Sequence, residues 1–566
     1  MPAPAQPPDR PAVGSPERYL NAAKHFAEKV LESGLDRFGP KPTPLLVEGL
    51  DVRTFEPVRW PFGGSGEHNW IYSNQLSHHM LFRALEGLSS LTHDESYRQA
   101  ARSAVRYGFD HLRGPSGLFY WGGHTAWDLA GGHWVGLRWK PGVTASPAHE
   151  MKYHLPHFEL LWQVDPDVTR SYLEAFWAGH IIDWSTLDLD RHADIDAPPR
   201  RPAWEHPWHE PPVFFDGKGL TFQNVSTDLI LAAVSLYQHT RQEGPLVWAH
   251  RLARRFVGTR DDRTGLGGFQ FSCRPPDRAM VQLGPQFPGH LVLEGTILMP
   301  VSTRMFAGTL LRLADQLGAD GAEFRRWALE DLSALATHAY DRAGNCFRAM
   351  LTDGTDLTGV PLREGGYYGK AGTSLEADPA NMSFARVYLQ AWRAGGDELL
   401  WRTARSIFAG RRMGDIGSPG GVGMALAEEV EEHHPAAIHA LLDLHGILIA
   451  GNGCAVGGCA TRPGPVGSAG TPAAQCLAAA CKVADNILAN RCINGLFVDS
   501  PTSQFAQLNA REPLALLRLA AVLRGRGEQV PDDPDGRRAF LAAKTKPSDP
   551  MYIHDWKRIY GRRKGY

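Results

Sequence analysis

A glutamate set among imidazoles, His149-Glu150-Met151-Lys152-Tyr153-His154, is the most chemically loaded stretch of this 566-residue chain. About forty residues further on, Arg191 stands directly before His192. Upstream, Tyr120-Trp121-Gly122-Gly123-His124 sets two glycines ahead of another imidazole, which allows close backbone approach and an exposed ring. One carboxylate with imidazoles drawn from separate segments is an ordinary donor set for a first-row divalent ion such as manganese, iron, nickel or zinc. An arginine beside such a site suits an acidic substrate. The spacing His149-Glu150-x-x-x-His154, with His157 beyond it, misses the His-Glu-x-x-His pattern of zinc peptidases, and that chemistry is disfavoured. Most of the 24 histidines must instead be hydrogen-bonded structural residues. Arg191 has a competing reading as an ion-pair partner of Asp190 or Asp194.

Helices have to position these groups. Apolar residues recur at three- and four-residue spacing over 18–31, 73–91, 97–112, 168–182, 225–240, 244–257 and 304–317. The pattern resumes over 322–340, 382–394, 398–409, 422–430, 436–449, 472–489 and 513–524. Helices joined alternately by tight turns and long loops predict an all-α fold, an antiparallel (α/α) toroid barrel. No motif repeats at the roughly 34–45-residue period of an α-solenoid. Loops 114–150, 183–224 and 353–380, rich in Gly, Trp and His, are where such a barrel builds its cleft. The expected organisation is a disordered segment over 1–16, one domain over 17–550, and a basic tail over 551–566.

A hydrophobic fraction of 43% and a charged fraction of 21% allow a large core and exclude global disorder. A net charge of −2 argues against nucleic acid as partner and leaves an acidic substrate to local positive groups. Sixteen Trp and fifteen Tyr suit core packing and stacking on sugar faces alike. No run of ~18 apolar residues predicts a membrane span. Residues 1–16 hold no apolar signal region, and seven Cys is an odd count; both point to reduced thiols and a cytoplasmic protein. Cys454, Cys459, Cys476, Cys481 and Cys492 lack Cys-x-x-Cys spacing, so helix packing explains them better than a metal. Two weaker features remain. Trp204, His206, Trp208 and His209 make a loop suited to sugar subsites or to a packed lid, and Tyr368 with Lys370 sits in a glycine-loosened loop. Neither Gly-rich segment has P-loop or dinucleotide-binding spacing.

Trp121-Gly122-Gly123-His124, the run His149 to Pro156, and Ala178-Gly179-His180-Ile181-Ile182-Asp183-Trp184 leading to Arg191-His192 resemble polysaccharide lyase family 2. The similarity continues through Leu220-Thr221-Phe222-Gln223-Asn224 and Gly366-Tyr367-Tyr368-Gly369 to Tyr552-Ile553-His554-Asp555-Trp556. This resemblance implies an (α/α)7 barrel that cleaves pectate or oligogalacturonate by β-elimination. It further implies a divalent metal, preferably Mn2+ with Ni2+, Co2+ or Zn2+ as alternatives, on His124, Glu150 and His192. Arg191 is then the Brønsted base, and His149 and His154 are supporting residues. His133 competes with His124 as ligand, and Lys152 competes with Arg191 as base. Lys152, Tyr368, Lys370 and Trp208 are the expected substrate contacts, with Arg200 or Arg201 as further partners for substrate carboxylates.

The implied chemistry is coherent. Removing the proton at C5, alpha to the C6 carboxylate, expels the sugar linked through O4, and a metal on the carboxylate stabilises the enolate-like charge. An arginine base must have its charge strongly penalised, since its pKa normally lies above roughly 12. Competing readings are a glycoside hydrolase or sugar epimerase of the same fold, or a non-catalytic carbohydrate-binding protein. A hydrolase needs two carboxylates about 5–10 Å apart, for which Asp183, Asp188 and Asp353 are available. A cytoplasmic location would further suggest short imported oligosaccharides cleaved in exo fashion.

Overall fold

Fourteen α-helices can be traced end to end in the computed structural model, which describes residues 12–59, 70–122, 125–136, 148–151, 153–273, 283, 298–364, 370–451 and 470–536. They are α1 (Pro16–Ser33), α2 (His79–Thr92), α3 (Ser96–His111), α4 (Phe158–Val164), α5 (Pro166–His180), α6 (Gln223–Thr240) and α7 (Glu243–Val257). The second half comprises α8 (Pro300–Leu317), α9 (Ala322–Ala334), α10 (Met382–Gly395), α11 (Glu398–Gly410), α12 (Pro435–Gly451), α13 (Pro472–Arg491) and α14 (Glu512–Leu523). Burial sorts them into two rings. Helices α2, α6, α8, α10, α12 and α14 are buried on nearly every side, whereas α1, α3, α7, α9 and α11 bury one face only. From α6 to α14 successive members of the inner ring pack on one another, and α14 closes onto α2 and α1. The short pair α4–α5 fills the gap between α3 and α6. The described residues therefore form an (α/α) toroid in which seven helical pairs can be followed, the last formed by α14 with α1.

Loop lengths follow from this architecture. Within most pairs the connection is short, as at 93–95, 241–242 and 396–397, while the links from an outer helix to the next inner one are long, as at 112–157 and 181–222. All those long links gather where the inner helices begin. Local chemistry sets the boundaries. Asp165 caps α5, accepting from Val168 N at 3.0 Å ahead of Pro166, and Thr471 caps α13 ahead of Pro472. The segment 422–430 is not helical, contrary to its periodicity. Gly421 and Gly423 take φ of +78° and +76°, and the chain forms a short strand, Ala425–Leu426, instead. Conversely, α4 is seven residues long, too short for its apolar run to register as a period. One apolar cluster extends from Tyr19 to Val530, and Cys476 on α13 is part of it, its thiol pushed up to about 12 by burial.

Residues 531–536 run across the inner ring and are held by charge. The fully buried Asp533 carboxylate meets Arg511 at 2.6 Å and His439 at 3.1 Å, and Asp535 pairs with Arg304 and Arg511. Burial alone would raise the Asp533 carboxyl; Arg511, His439 and Arg386 more than reverse this and hold it well below the carboxylate range. A depressed folded-state pKa contributes stability above the unfolded value of roughly 3.9, and that contribution fades as pH falls below it. Asp533→Asn is expected to cost about 3–5 kcal/mol, because Arg511 loses its buried partner. Denaturant unfolding at pH 7 and pH 3 checks this: the gap between parent and variant should narrow at the lower pH.

Candidate active site

Five short strands in the long loops form the site: β1 (Tyr72–Ser73), β2 (Thr125–Asp128), β3 (His133–Gly136), β4 (Ala148–Glu150) and β5 (His192–Asp194). Strands β4 and β5 pair antiparallel with Glu150 directly opposite His192 and His149 opposite Ala193. Side chains alternate across a strand, so Glu150 and His192 share one face of this two-stranded ladder and His149 takes the other. On the shared face, Glu150 Oε1 lies 3.3 Å from His192 Nε2 and 3.5 Å from Arg191 Nε. Glu150 is fully buried, while Arg191 and His192 keep 16% and 15% exposure, enough to meet a ligand from solvent. The Arg191 guanidinium also lies 5.5 Å from the Phe222 ring at the start of α6. The three residues singled out for chemistry thus converge, and Arg191 pairs with Glu150.

Asp190 has a different task. Its Oδ1 accepts from the His192 backbone N–H at 2.9 Å and lies 3.3 Å from His192 Nδ1, leaving Nε2 turned toward Glu150. Burial alone would lower the His192 pKa, but Glu150 and Asp190 outweigh it and raise it. An imidazole nitrogen facing a buried carboxylate at 3.3 Å needs a cation between them, either a proton on Nε2 or a metal ion. The donor set fits a divalent metal: a carboxylate and an imidazole whose second nitrogen is oriented by another carboxylate. Among the described residues no group of three or more Asp, Glu, His or Cys side chains is arranged to hold a metal ion by itself. The expected third ligand, His124, lies outside the described residues, as do Lys152 and Tyr368.

The residues flanking His124 are nevertheless anchored on β4. Trp121 O accepts from Glu150 N at 3.3 Å, and Thr125 Oγ1 donates to Ala148 O at 2.8 Å. Asn74 Nδ2 donates to Gly122 O at 2.8 Å and to Thr125 O at 3.2 Å. Gly122, at φ +132°, is pressed so closely on β4 that a Cβ there would fall 2.6 Å from both Glu150 N and Glu150 O. Gly122→Ala is therefore expected to push β4 aside and reduce activity by about 10²-fold, the scale of an ångström-sized misplacement. Gly132→Ala is the control, since φ is +65° but no atom lies within 4 Å of the added methyl; it should lose some thermal stability and keep its activity.

Other sequence candidates are spread more widely. His133 pairs with Asp128 at the turn end of the β2–β3 hairpin and is exposed. That is three residues, roughly 10 Å, along β2 from Thr125, the end that touches β4. Trp208 packs on Trp248 at 5.5 Å and beside Arg251, both on the outer helix α7, and Trp204 fills the space between Trp177 and Trp184. This loop is a packed cover. Lys370, Arg200 and Arg201 are exposed. Asp188 is committed to Lys218 N at 2.7 Å, Gly219 N at 3.1 Å and Ser272 Oγ at 3.1 Å, which removes it as a hydrolytic carboxylate.

The run from His149 to His157 is anchored by the helices around it. Asp228 of α6 accepts from the backbone N–H groups of Tyr153, His154 and Leu155 at 2.6, 3.2 and 3.0 Å, holding a turn in which Tyr153 and Leu155 have positive φ. His157 contacts Glu86, and its backbone N–H donates to His79 Nδ1 at 2.7 Å. Asp228, Asn74 and Tyr172 escaped sequence reasoning, and Asp190 and His180 were named in it without the roles the structure gives them. A lone acid inside the apolar helix 225–240 was the available signal for Asp228.

The model of the family described as periplasmic pectate lyase matches residues 43–452 and 469–543. Pectate disaccharide-lyase from Dickeya dadantii (strain 3937) is 33% identical over 409 residues, covering 68% of this chain and 73% of that protein. Among solved structures, a sugar epimerase from a ruminal bacterium overlays with a TM-score of 0.44 at 11% identity, over 78% of this chain and 99% of that one. A D-mannose isomerase overlays with a TM-score of 0.42 at 13% identity, over 72% and 89%. The family's description corrects the cytoplasmic expectation, and with it falls the suggestion of imported substrates. That expectation rested on composition around residues 1–16 and on cysteine number, neither of which reports a compartment directly. No described helix is long and apolar enough to cross a membrane.

Proposed function

Since the chain belongs to the periplasmic pectate lyase family and is a polysaccharide lyase, we propose that it cleaves α-1,4-linked galacturonate, as pectate or its oligomers, to 4,5-unsaturated products by metal-assisted β-elimination. The observation that carries this reading is the meeting of Arg191, His192 and Glu150 across one strand pair, 3.3–3.5 Å apart. Glu150 and His192 would hold a divalent cation, Mn2+ by preference, which when bound supplies Lewis-acid stabilisation of the charge developing on the C6 carboxylate. Arg191, partly exposed beside them, takes the C5 proton. Glu150 at 3.5 Å favours the charged guanidinium, so Arg191 becomes basic only when the Glu150 charge is engaged elsewhere. Asp190 keeps His192 Nε2 directed at the site. The inner helices start on this face, and the partial positive charge of their N-termini favours a polyanionic substrate.

The test is incubation with polygalacturonate and with di- to tetragalacturonate. Unsaturated products absorb in the ultraviolet, and the signal should vanish with chelator and return with Mn2+. New reducing ends without absorbance, or no reaction with any uronate, would overturn the proposal.

A further inference from the structure

Behind the Glu150–His192 face runs a line of polar groups that are completely buried. Tyr172 and His180, both on α5, and His149 on β4 each have 0% exposure. Tyr172 Oη lies 3.1 Å from His149 Nε2, His149 Nδ1 lies 2.9 Å from His180 Nε2, and His180 Nδ1 lies 2.7 Å from the Asp190 carbonyl oxygen. The direction of every bond follows from the last one. A carbonyl only accepts, so His180 Nδ1 carries a proton and donates. In a neutral ring its Nε2 must then accept, which makes His149 Nδ1 a donor. His149 Nε2 consequently accepts, and the Tyr172 hydroxyl donates to it. No carboxylate lies on this line, and with both rings fully buried one proton per ring satisfies all four ring nitrogens without placing a charge there.

The line ends at a mechanically sensitive point. Asp190 presents its carbonyl to His180 and its carboxylate to His192, so its two ends connect the rear of the ladder to the front. The Asp190 backbone N–H donates in turn to His180 O at 3.0 Å, pinning the turn at both of its backbone groups. His149 meanwhile shares a strand with Glu150 and faces the opposite way. We infer that Tyr172, His149 and His180 form a directional hydrogen-bond relay that sets the Asp190–Arg191–His192 turn against Glu150, with His180 as a positioning residue for the elimination. This inference rests on the roles proposed above for Arg191 and His192. It assigns function to two histidines that touch neither substrate nor metal, and it explains why polar groups occupy a site where apolar ones would pack at lower cost.

Two substitutions at His180 separate positioning from bulk. His180→Leu removes the bond to Asp190, whereas His180→Asn puts an amide N–H where Nδ1 stands. His180→Leu is expected to lower kcat 10–100-fold, the usual effect of losing an orienting partner, with KM little changed and Mn2+ bound more weakly. His180→Asn should recover most of the loss. In the metal-free parent protein, nitrogen-15 spectra should show His180 and His149 both as the Nδ1–H tautomer, and Tyr172→Phe should shift the His149 and His180 signals. Parent-like kcat in both His180 variants, or an Nε2–H tautomer at His180, would overturn the relay. The tautomer measurement needs no activity and still reads if His180→Leu fails to fold. A parent protein inert toward every uronate but showing both tautomers would defeat the proposed function while leaving the hydrogen-bond order intact.

Discussion

Replacing Arg191 by alanine is expected to lower kcat on galacturonate oligomers by about 10²–10⁴-fold, the contribution of a lost general base. KM and Mn2+ affinity should stay near those of the parent, because Glu150 and His192 are untouched. Geometry is the reason for naming Arg191. Its side chain is held on two sides, by Glu150 at 3.5 Å and by the Phe222 ring at 5.5 Å, so its position is fixed before substrate arrives. Lys152 is the rival base, and an ammonium loses its proton more readily than a guanidinium. Lys152→Ala should raise KM through a lost substrate carboxylate contact and leave kcat within a few-fold. Steady-state kinetics on trigalacturonate with saturating Mn2+ separates the two. A collapse of kcat in Lys152→Ala with only a modest change in Arg191→Ala would transfer the role of base to Lys152.

The toroid was legible because its information is periodic. An outer helix with one apolar stripe, such as α11, repeats every three to four residues for three or more turns, and a largely buried inner helix, such as α12, is apolar over most of a similar length. Such a signal survives a few wrong residues at either end. It fails where length or backbone geometry overrides pattern. Seven residues from Phe158 to Val164 span only two turns, and glycines at 421 and 423 turn an apolar stretch into a strand.

The site was legible only in part, for a different reason. Glu150, Arg191 and His192 could be picked out by type and neighbourhood, but the ladder that joins them consists of two three-residue strands. Three residues cannot display an alternating pattern, so register, and with it the pairing of Glu150 with His192, is invisible before folding. Supporting groups suffer more. Asp190 looked like a surface partner for Arg191, yet it orients His192 through its carboxylate and holds the turn through its backbone. Tyr172 carries no signal among the apolar residues of its helix, and His180 stands out only as part of the family-like run Ala178 to Trp184. The reading of location failed because an N-terminal composition was asked to report a compartment.

Glu150→Gln is expected to reduce kcat/KM by more than about 10³-fold and to leave a protein that added Mn2+ cannot reactivate. The shapes of the two side chains match, so packing around this fully buried position should persist and the loss will not reflect unfolding. What changes is charge. The amide is a poor ligand for a divalent ion beside an imidazole, and it no longer outweighs the burial that pushes His192 down. A second consequence therefore appears without metal or substrate. Glu150 now raises the His192 midpoint, so its removal should lower that midpoint, and proton NMR titration of the metal-free proteins measures the difference directly. Two outcomes would break this account: a variant restored to near-parent rate by millimolar Mn2+, or a His192 midpoint that does not fall. The first would remove Glu150 from the ligand set. The second would mean that the carboxylate and imidazole do not face one another in solution, and the strand pairing that brings Arg191 to the site would have to be abandoned with it.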